Sequence, residues 1–443
     1  MPETSAVQDT PPEAPVAANR SALMIVFLVV FIDLLGFGIV LPLLPLYGDS
    51  YVAAVIPGGK ENRLGGAVIG LLMASFSFMQ FLCAPIWGRI SDQVGRRPVL
   101  LIGLGGSVLF YSLFGLASSL PTTQAALALT LLFAARIGAG VAGATISTAQ
   151  AVIADSTPPD KRKHGMALIG AAFGIGFTFG PLIGFLSLAW GQEYRGATGY
   201  AAAGLSLVAL LLGLWKLPET RRFGEAPVAR RKLLDLSAWG RALRTPAIAP
   251  VILTFFLATI GFASFEVTLA LLNRDVLHLT ERNNFLIFAY VGFVLMLTQG
   301  FLYRKIARSL TEPTLMALGI AGMGLGVGCL GAVSLAHARG MTGLGVFYLA
   351  ALAFAVIGFA LLTPSAQALI SRRTDADRQG EVLGVNQSAS ALARILGPII
   401  GLTLYKLTPT PILPYFFGGG LLLLMLPLIP RIRRGGTPAE QPA

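Results

Sequence analysis

Charge is what this chain has least of. Asp, Glu, Lys and Arg make up 12% of its 443 residues, about half the share an ordinary soluble chain carries. So few charges cannot coat a water-facing surface of this size, which excludes a soluble enzyme. An apolar share of 55% and a mean hydropathy of +0.73 also exclude a disordered chain or a coiled coil. Only two cysteines occur, Cys83 and Cys329, both inside apolar runs, so no disulfide framework is expected. The three histidines, His164, His278 and His337, lie far apart without metal-ligand spacing. No Walker loop, His-Glu-x-x-His or Gly-x-Ser-x-Gly is present, so neither a cofactor nor a catalytic site is expected. Two Gly-x-Gly-x-x-Gly strings, Gly138–Gly143 and Gly326–Gly331, lie within apolar runs and lack the strand–turn–helix setting of a nucleotide site.

What remains is long apolar runs. A bilayer span takes about 20 predominantly apolar residues. Twelve runs meet that length, at roughly 22–47, 66–87, 98–118, 124–154, 165–188, 199–217, 247–272, 283–303, 314–336, 344–371, 380–405 and 412–430. They are too long for the alternating strands of an outer-membrane barrel. The expected fold is an all-α polytopic membrane protein of twelve helices. Residues 1–21 form a polar, Pro/Ala-rich tail with no basic region ahead of the first span, unlike a secretory signal. Residues 218–246 are the one long polar connection and divide the spans six and six, into bundles over 22–217 and 247–430; residues 431–443 are a second tail.

Orientation follows from where Lys and Arg fall. With both termini inside, the inside segments hold 24 and the outside segments 7, the other two of the 33 lying within spans. That split predicts a multi-pass protein of the cytoplasmic membrane with both termini cytoplasmic. The net charge of +12 then suits anionic lipid headgroups rather than nucleic acid.

The chain repeats itself. A shift of 217 residues lays Ala149–Gly184 on Ala366–Gly401 without a gap, with eleven of 36 positions identical. Ala149-Gln150-Ala151 falls on Ala366-Gln367-Ala368, Thr157 on Thr374, Asp160 on Asp377 and Gly180-Pro181 on Gly397-Pro398. Both copies share one membrane orientation, which predicts two parallel six-helix halves with a site between them.

Four motifs carry a resemblance. Between spans 2 and 3 the sequence reads Gly88-Arg-Ile-Ser-Asp92-Gln-Val-Gly95-Arg96-Arg97. Here a glycine permits close helix approach, an aspartate can bond the amides of a helix N-terminus, and arginines can pair acidic helix ends. Span 4 carries Arg136-Ile-Gly-Ala-Gly140, and span 5 carries Gly176, Gly180, Pro181 and Gly184. Glycines at such spacing let helices pack closely, and Pro181 removes a helix hydrogen bond. Span 1 reads Phe31-Ile-Asp33-Leu-Leu-Gly36-Phe-Gly38 through Pro42 and Pro45. Together with the twelve spans, these motifs resemble the major facilitator superfamily, in particular its twelve-helix drug:proton antiporter branch with the tetracycline/proton antiporters. The resemblance implies that Gly88, Asp92, Gly95, Arg96 and Arg97 form a cytoplasmic latch with Asp155 as acidic partner. It also implies that Gly176, Gly180, Pro181 and Gly184, and their repeat mates Gly397 and Pro398, form a helix-bending and packing motif. Span 3 carries no acid and spans 8 and 9 no interior acid, unlike the tetracycline exporters, so metal–tetracycline is not implied as substrate.

Four ionisable residues fall well inside spans: Asp33, Arg136, Glu266 and Arg394. Each costs roughly 2.5–3.5 kcal/mol at the bilayer centre when unpaired, so they are expected to face protein or water and to partner one another. Arg394 shares a helix face with Gln387 and Ser390. Asp33 is the first candidate for a coupling proton, with Arg136 as its partner; Glu266 is the competing candidate. The expected function is proton-coupled efflux of a small amphipathic or drug-like molecule by alternating access, by a protein that acts as a monomer. A proton-coupled importer or uniporter of a nutrient such as a sugar, and a membrane receptor or scaffold, are the alternatives.

Overall fold

A computed structural model describes residues 20–56, 63–156, 162–188, 194–221, 236–374 and 379–434. Among these no strand occurs, and eleven helical stretches are long and apolar enough to cross a membrane. The one expected span not among these eleven, the fifth at 165–188, coincides with α7 (Arg162–Ser187), whose apolar stretch among the searched residues is Gly174–Ser187.

Several spans are built from two helices. The first is α1 (Arg20–Val40) followed by α2 (Leu44–Val55). The chain breaks at 41–43, where Pro42 supplies no amide hydrogen. The second and third are single helices, α3 (Arg63–Val94) and α4 (Arg96–Ser119). The fourth is α5 (Ala125–Gly143) and α6 (Ile146–Asp155), and the sixth is α8 (Ala197–Lys216). The polar connection holds a short helix that hydropathy did not mark, α9 (Leu236–Arg244). It buries Ala242 and ties Arg241 to Glu381 at 3.0 Å. Then come α10 (Ala249–Asp275) and α11 (Glu281–Leu297), the latter running through a π-turn at Thr298–Leu302 into α12 (Tyr303–Ile306). The chain ends with α13 (Glu312–Ala338), α14 (Gly345–Arg372), α15 (Gln379–Tyr405), α16 (Leu413–Leu423) and α17 (Ile429–Arg434).

Small residues set the packing. In the N-terminal set, α1 packs on α7 and α8, and α4 on α5 and α8. A Cβ on Gly180 would fall 2.8 Å from the Cα of Gly38, and one on Gly176 would fall 3.0 Å from Leu34 Cβ. In the C-terminal set, α15 packs on α10 through the same motif: a Cβ on Gly397 would meet Ala263 at 2.7 Å, and one on Gly401 would meet Ser264. The first span against the fifth, and the seventh against the eleventh, is the same pairing a repeat apart. The two sets meet where α3 lies on α15 and α7 on α11. There a Cβ on Gly70 would fall 2.7 Å from the Cα of Ile399, and one on Gly292 would meet the backbone of Phe177. Both α7 and α15 run on as helices past Pro181 and Pro398.

Candidate functional site

The residues of the expected latch come together at one end of the molecule. Arg96, only 6% exposed, donates to Asp92 at 2.5 Å, to the Ser91 hydroxyl at 2.7 Å and to Asp155 at 3.1 Å. Gly95 precedes α4 with φ of 109°, a region that favours glycine. Gly88 does not act as the sequence suggested: a Cβ there would meet nothing within 4 Å, so no close helix approach depends on it. The amide-binding acid is also a different one. Asp92 is engaged with Arg96, whereas the Glu219 carboxylate accepts the amides of Arg96 at 2.9 Å and Arg97 at 3.1 Å, the first two of α4. These amides have no partner within the helix, and a negative charge there opposes the helix dipole favourably. Glu219 also accepts from the Arg221 amide at 2.9 Å, and the Arg221 guanidinium donates to the Asp92 carbonyl at 3.1 Å. Sequence reasoning missed Glu219. Its only signal was an isolated acid directly after span 6. The Glu219 and Arg221 bonds tie the N-terminal helices to the first residues of the polar connection.

Glu219→Ala is expected to destabilise the folded protein by about 1 kcal/mol, the usual cost of losing a cap. A lower melting temperature in detergent than for a control Ala substitution at exposed Thr130 would show it. Equal melting would contradict the capping role.

The four intramembrane charges occupy two places. Asp33, partly buried on α1, accepts from the Ser206 hydroxyl at 3.2 Å, with Ser107 also in reach. It lines a small cavity with Val29, Leu100, Leu104 and Thr145, walled by α1, α4 and the start of α6. Arg136 is 4% exposed and lies over the Phe76 ring at 4.6 Å. It donates to the Met73 carbonyl at 3.4 Å, and its Nε has no partner. Arg136 does not pair with Asp33. The buried Tyr111 lies within electrostatic range of both, and the acid that Arg136 feels across the molecule is Glu266. Glu266, on α10, lies within electrostatic range of Arg394 and of Arg136, so it stands between one arginine of each helix set. Arg394 donates to Ser390 at 3.1 Å; it and Gln387 are exposed on one face of α15. Aromatic rings flank these charges, with Phe37 against Phe76 and Phe177 on one side and Phe262 stacked on Phe359 at 3.8 Å on the other.

At the end opposite the Asp92 loop, the two helix sets are joined by polar contacts. Asp49, 2% exposed, meets Arg274 and Lys406 at 2.6 Å each. The Tyr47 hydroxyl donates to Glu281 at 3.1 Å, and Asn284 donates to the Pro42 carbonyl at 3.0 Å. Sequence reading left these residues unmarked, because each stands alone at the end of an apolar run.

Long glycine-packed helices in two sets, with opposed charges between them, define a polytopic membrane protein with a charged site between its halves. The family model of the Major Facilitator Superfamily matches residues 26–398 and 311–442, and the chain belongs to that superfamily. It is 30% identical over 422 residues to the tetracycline resistance protein, class C, of Escherichia coli, covering 93% of this chain and 97% of that one. The crystal structure of the human organic anion transporter MFSD10 superposes with a TM-score of 0.63 at 27% identity, covering 95% of this chain and all of that one. A D-xylose–proton symporter shares the fold, with a TM-score of 0.74 at 16% identity over 93% of this chain and 97% of its own. As a member of this superfamily the chain is a multi-pass transporter of small molecules rather than an enzyme.

Proposed function

We propose that this transporter expels a small amphipathic or drug-like molecule in exchange for protons, with Asp33 as the group that carries the coupling proton. The observation that carries the reading is the resemblance to a tetracycline resistance protein along almost the whole chain, together with a carboxylate held by serines inside the first span. Asp33 sits apart from the Arg136–Glu266–Arg394 set, so a proton and a substrate occupy different places and communicate through movement of α1. A second reading, transport of an organic anion, is favoured by two arginines facing one acid between the halves and by the human relative's name. Proteoliposome transport against a panel of cationic, neutral and acidic amphiphiles, with and without an imposed pH gradient, separates the two. Uphill movement of cationic or neutral compounds only with the gradient supports proton-coupled efflux. Movement confined to acidic compounds supports the second reading.

The uneven placement of Lys and Arg supports cytoplasmic termini, a cytoplasmic Asp92 loop and contact of its basic rim with anionic lipid. Residues 218–246, carrying Arg221, Arg241 and Arg244, then face the cytoplasm. A membrane-impermeant label or protease added outside intact cells is expected to miss this segment and to reach it in inverted vesicles. Labelling from outside would overturn the orientation. The protein is read as a monomer.

A further inference from the structure

Among the described residues, the polar groups around Asp33 all belong to the N-terminal helix set: Ser206 on α8, and Ser107 and Tyr111 on α4. The cavity that Asp33 lines lies inside the same set, between α1, α4 and α6, and measures about 30 Å³, room for roughly two waters. We infer that this cavity is the route by which the coupling proton leaves Asp33: the proton passes inside the N-terminal set toward the Asp92 end, apart from the place of Arg136, Glu266 and Arg394. The inference rests on the reading of Asp33 as the coupling acid and adds its path.

The cavity extends from Asp33 toward one end of the molecule. Val29 and Val30 line it one turn nearer the start of α1, and Leu100 lines it one turn after Arg96. In the other direction the buried Tyr111 closes α4 onto α1, for a Cβ on Gly36 would fall 3.0 Å from its ring. A bridging water needs two to four polar partners, and the cavity offers the Asp33 carboxylate and the Thr145 hydroxyl. That hydroxyl donates to the Ala142 carbonyl at 2.9 Å, and a hydroxyl that donates still has lone pairs with which to accept. Thr145 reaches this place because the fourth span breaks between α5 and α6 and because α4 carries Gly103 opposite it: a Cβ there would fall 2.5 Å from Thr145 Oγ1. From α3, Trp87 donates to the Val141 carbonyl at 2.8 Å and Gln80 to the Gly143 carbonyl at 3.3 Å, which satisfies carbonyls that the break leaves without a helix partner.

One apolar layer separates the cavity from the Asp92 end. Val26, Leu100, Val152 and Leu217 pack there, each at most 4% exposed. Leu100 lies a turn after Arg96, Val152 a turn before Asp155, and Leu217 two residues before Glu219. The segments that form the Arg96 junction therefore also carry the layer, and loosening the junction parts it. On release the O–H bond of the Asp33 carboxyl breaks, a cavity water takes the proton on to bulk water at the Asp92 end, and Asp33 is left a carboxylate.

Infrared spectroscopy tests this on the full chain in nanodiscs, with no transported compound. A protonated-carboxyl C=O band that is lost in Asp33→Asn belongs to Asp33, and its shift after rapid transfer into D2O times the exchange of that proton with bulk water. Thr145 is a positioning residue for the water. Thr145→Val keeps the side chain's shape without the hydroxyl and is expected to slow exchange about tenfold, the weight of one hydrogen bond, and Thr145→Ser to restore it. Leu100→Asn makes the apolar layer polar and is expected to speed exchange by about the same factor. Exchange at the parent's rate in both Thr145→Val and Leu100→Asn overturns the path, including when either variant melts lower, while the band itself upholds Asp33 as the proton carrier. If Leu100→Asn does not fold, Thr145→Val against Thr145→Ser decides. If Asp33→Asn removes no band at any pH at which the protein stays folded, the coupling acid is refuted and the path falls with it.

Discussion

Asp33→Asn is expected to abolish transport driven by a pH gradient while leaving substrate binding measurable. An amide cannot take up or release the coupling proton, yet it keeps the shape of the side chain and can still bond Ser206, which holds Asp33 at 3.2 Å. The size of the effect follows from the driving force. One charge moved across 100 mV supplies about 2.3 kcal/mol, roughly a fifty-fold gradient when 1.4 kcal/mol is tenfold. A single coupled proton therefore sustains accumulation of that order, and the uncoupled variant brings the ratio to about one. Glu266→Gln is the control. It removes the acid that lies within electrostatic range of both Arg136 and Arg394, so it is expected to alter affinity, above all for charged compounds, while proton coupling survives. Proton release on substrate addition, measured in detergent for both variants, decides between them. Should Asp33→Asn still release protons and transport uphill while Glu266→Gln does not, the coupling acid lies in α10.

The second large effect concerns Arg96. Its guanidinium joins Asp92 and Asp155 and also bonds Ser91, while the residue itself is 6% exposed. Truncation leaves two carboxylates facing each other without their shared cation. Removing one partner of a fully buried ion pair costs about 3–5 kcal/mol. Asp92 is half exposed and Asp155 29%, so water screens part of this, and Arg96→Ala is expected to cost roughly 2–3 kcal/mol. Arg96→Lys is expected to recover only part of the loss, since an ammonium lacks the planar fork that reaches two carboxylates and a hydroxyl at once. Thermal unfolding in detergent compares the two. A melting temperature for Arg96→Ala within error of the parent would remove the basis for this three-way junction.

Period, length and composition determined the class of this molecule. A chain with so little charge and so many 20-residue apolar runs has no stable alternative to membrane helices, because an unpaired backbone group in lipid costs several kcal/mol. The repeat of Ala149–Gly184 on Ala366–Gly401 was equally visible, and its glycines act in both copies at equivalent helix crossings, Gly180 on Gly38 and Gly397 on Ala263. The Gly88–Arg97 string was legible as a local motif, but its pairing was not: Asp92 read as a partner of helix amides, whereas it binds Arg96 and Glu219 takes the amides. Tertiary structure alone decided the rest. Partner choice among charges many tens of residues apart depends on helix rotation, which hydropathy does not encode. Asp33 and Arg136 therefore read as a pair, although α1 turns Asp33 toward Ser206 and α5 turns Arg136 onto Phe76. Glu219 capping α4, and Asp49 gripping Arg274 from 225 residues away, follow the same rule. Each is an ordinary polar residue at the end of an apolar run, and only tertiary packing, within the N-terminal set for Glu219 and between the sets for Asp49, brings its partner to 2.9 Å and 2.6 Å.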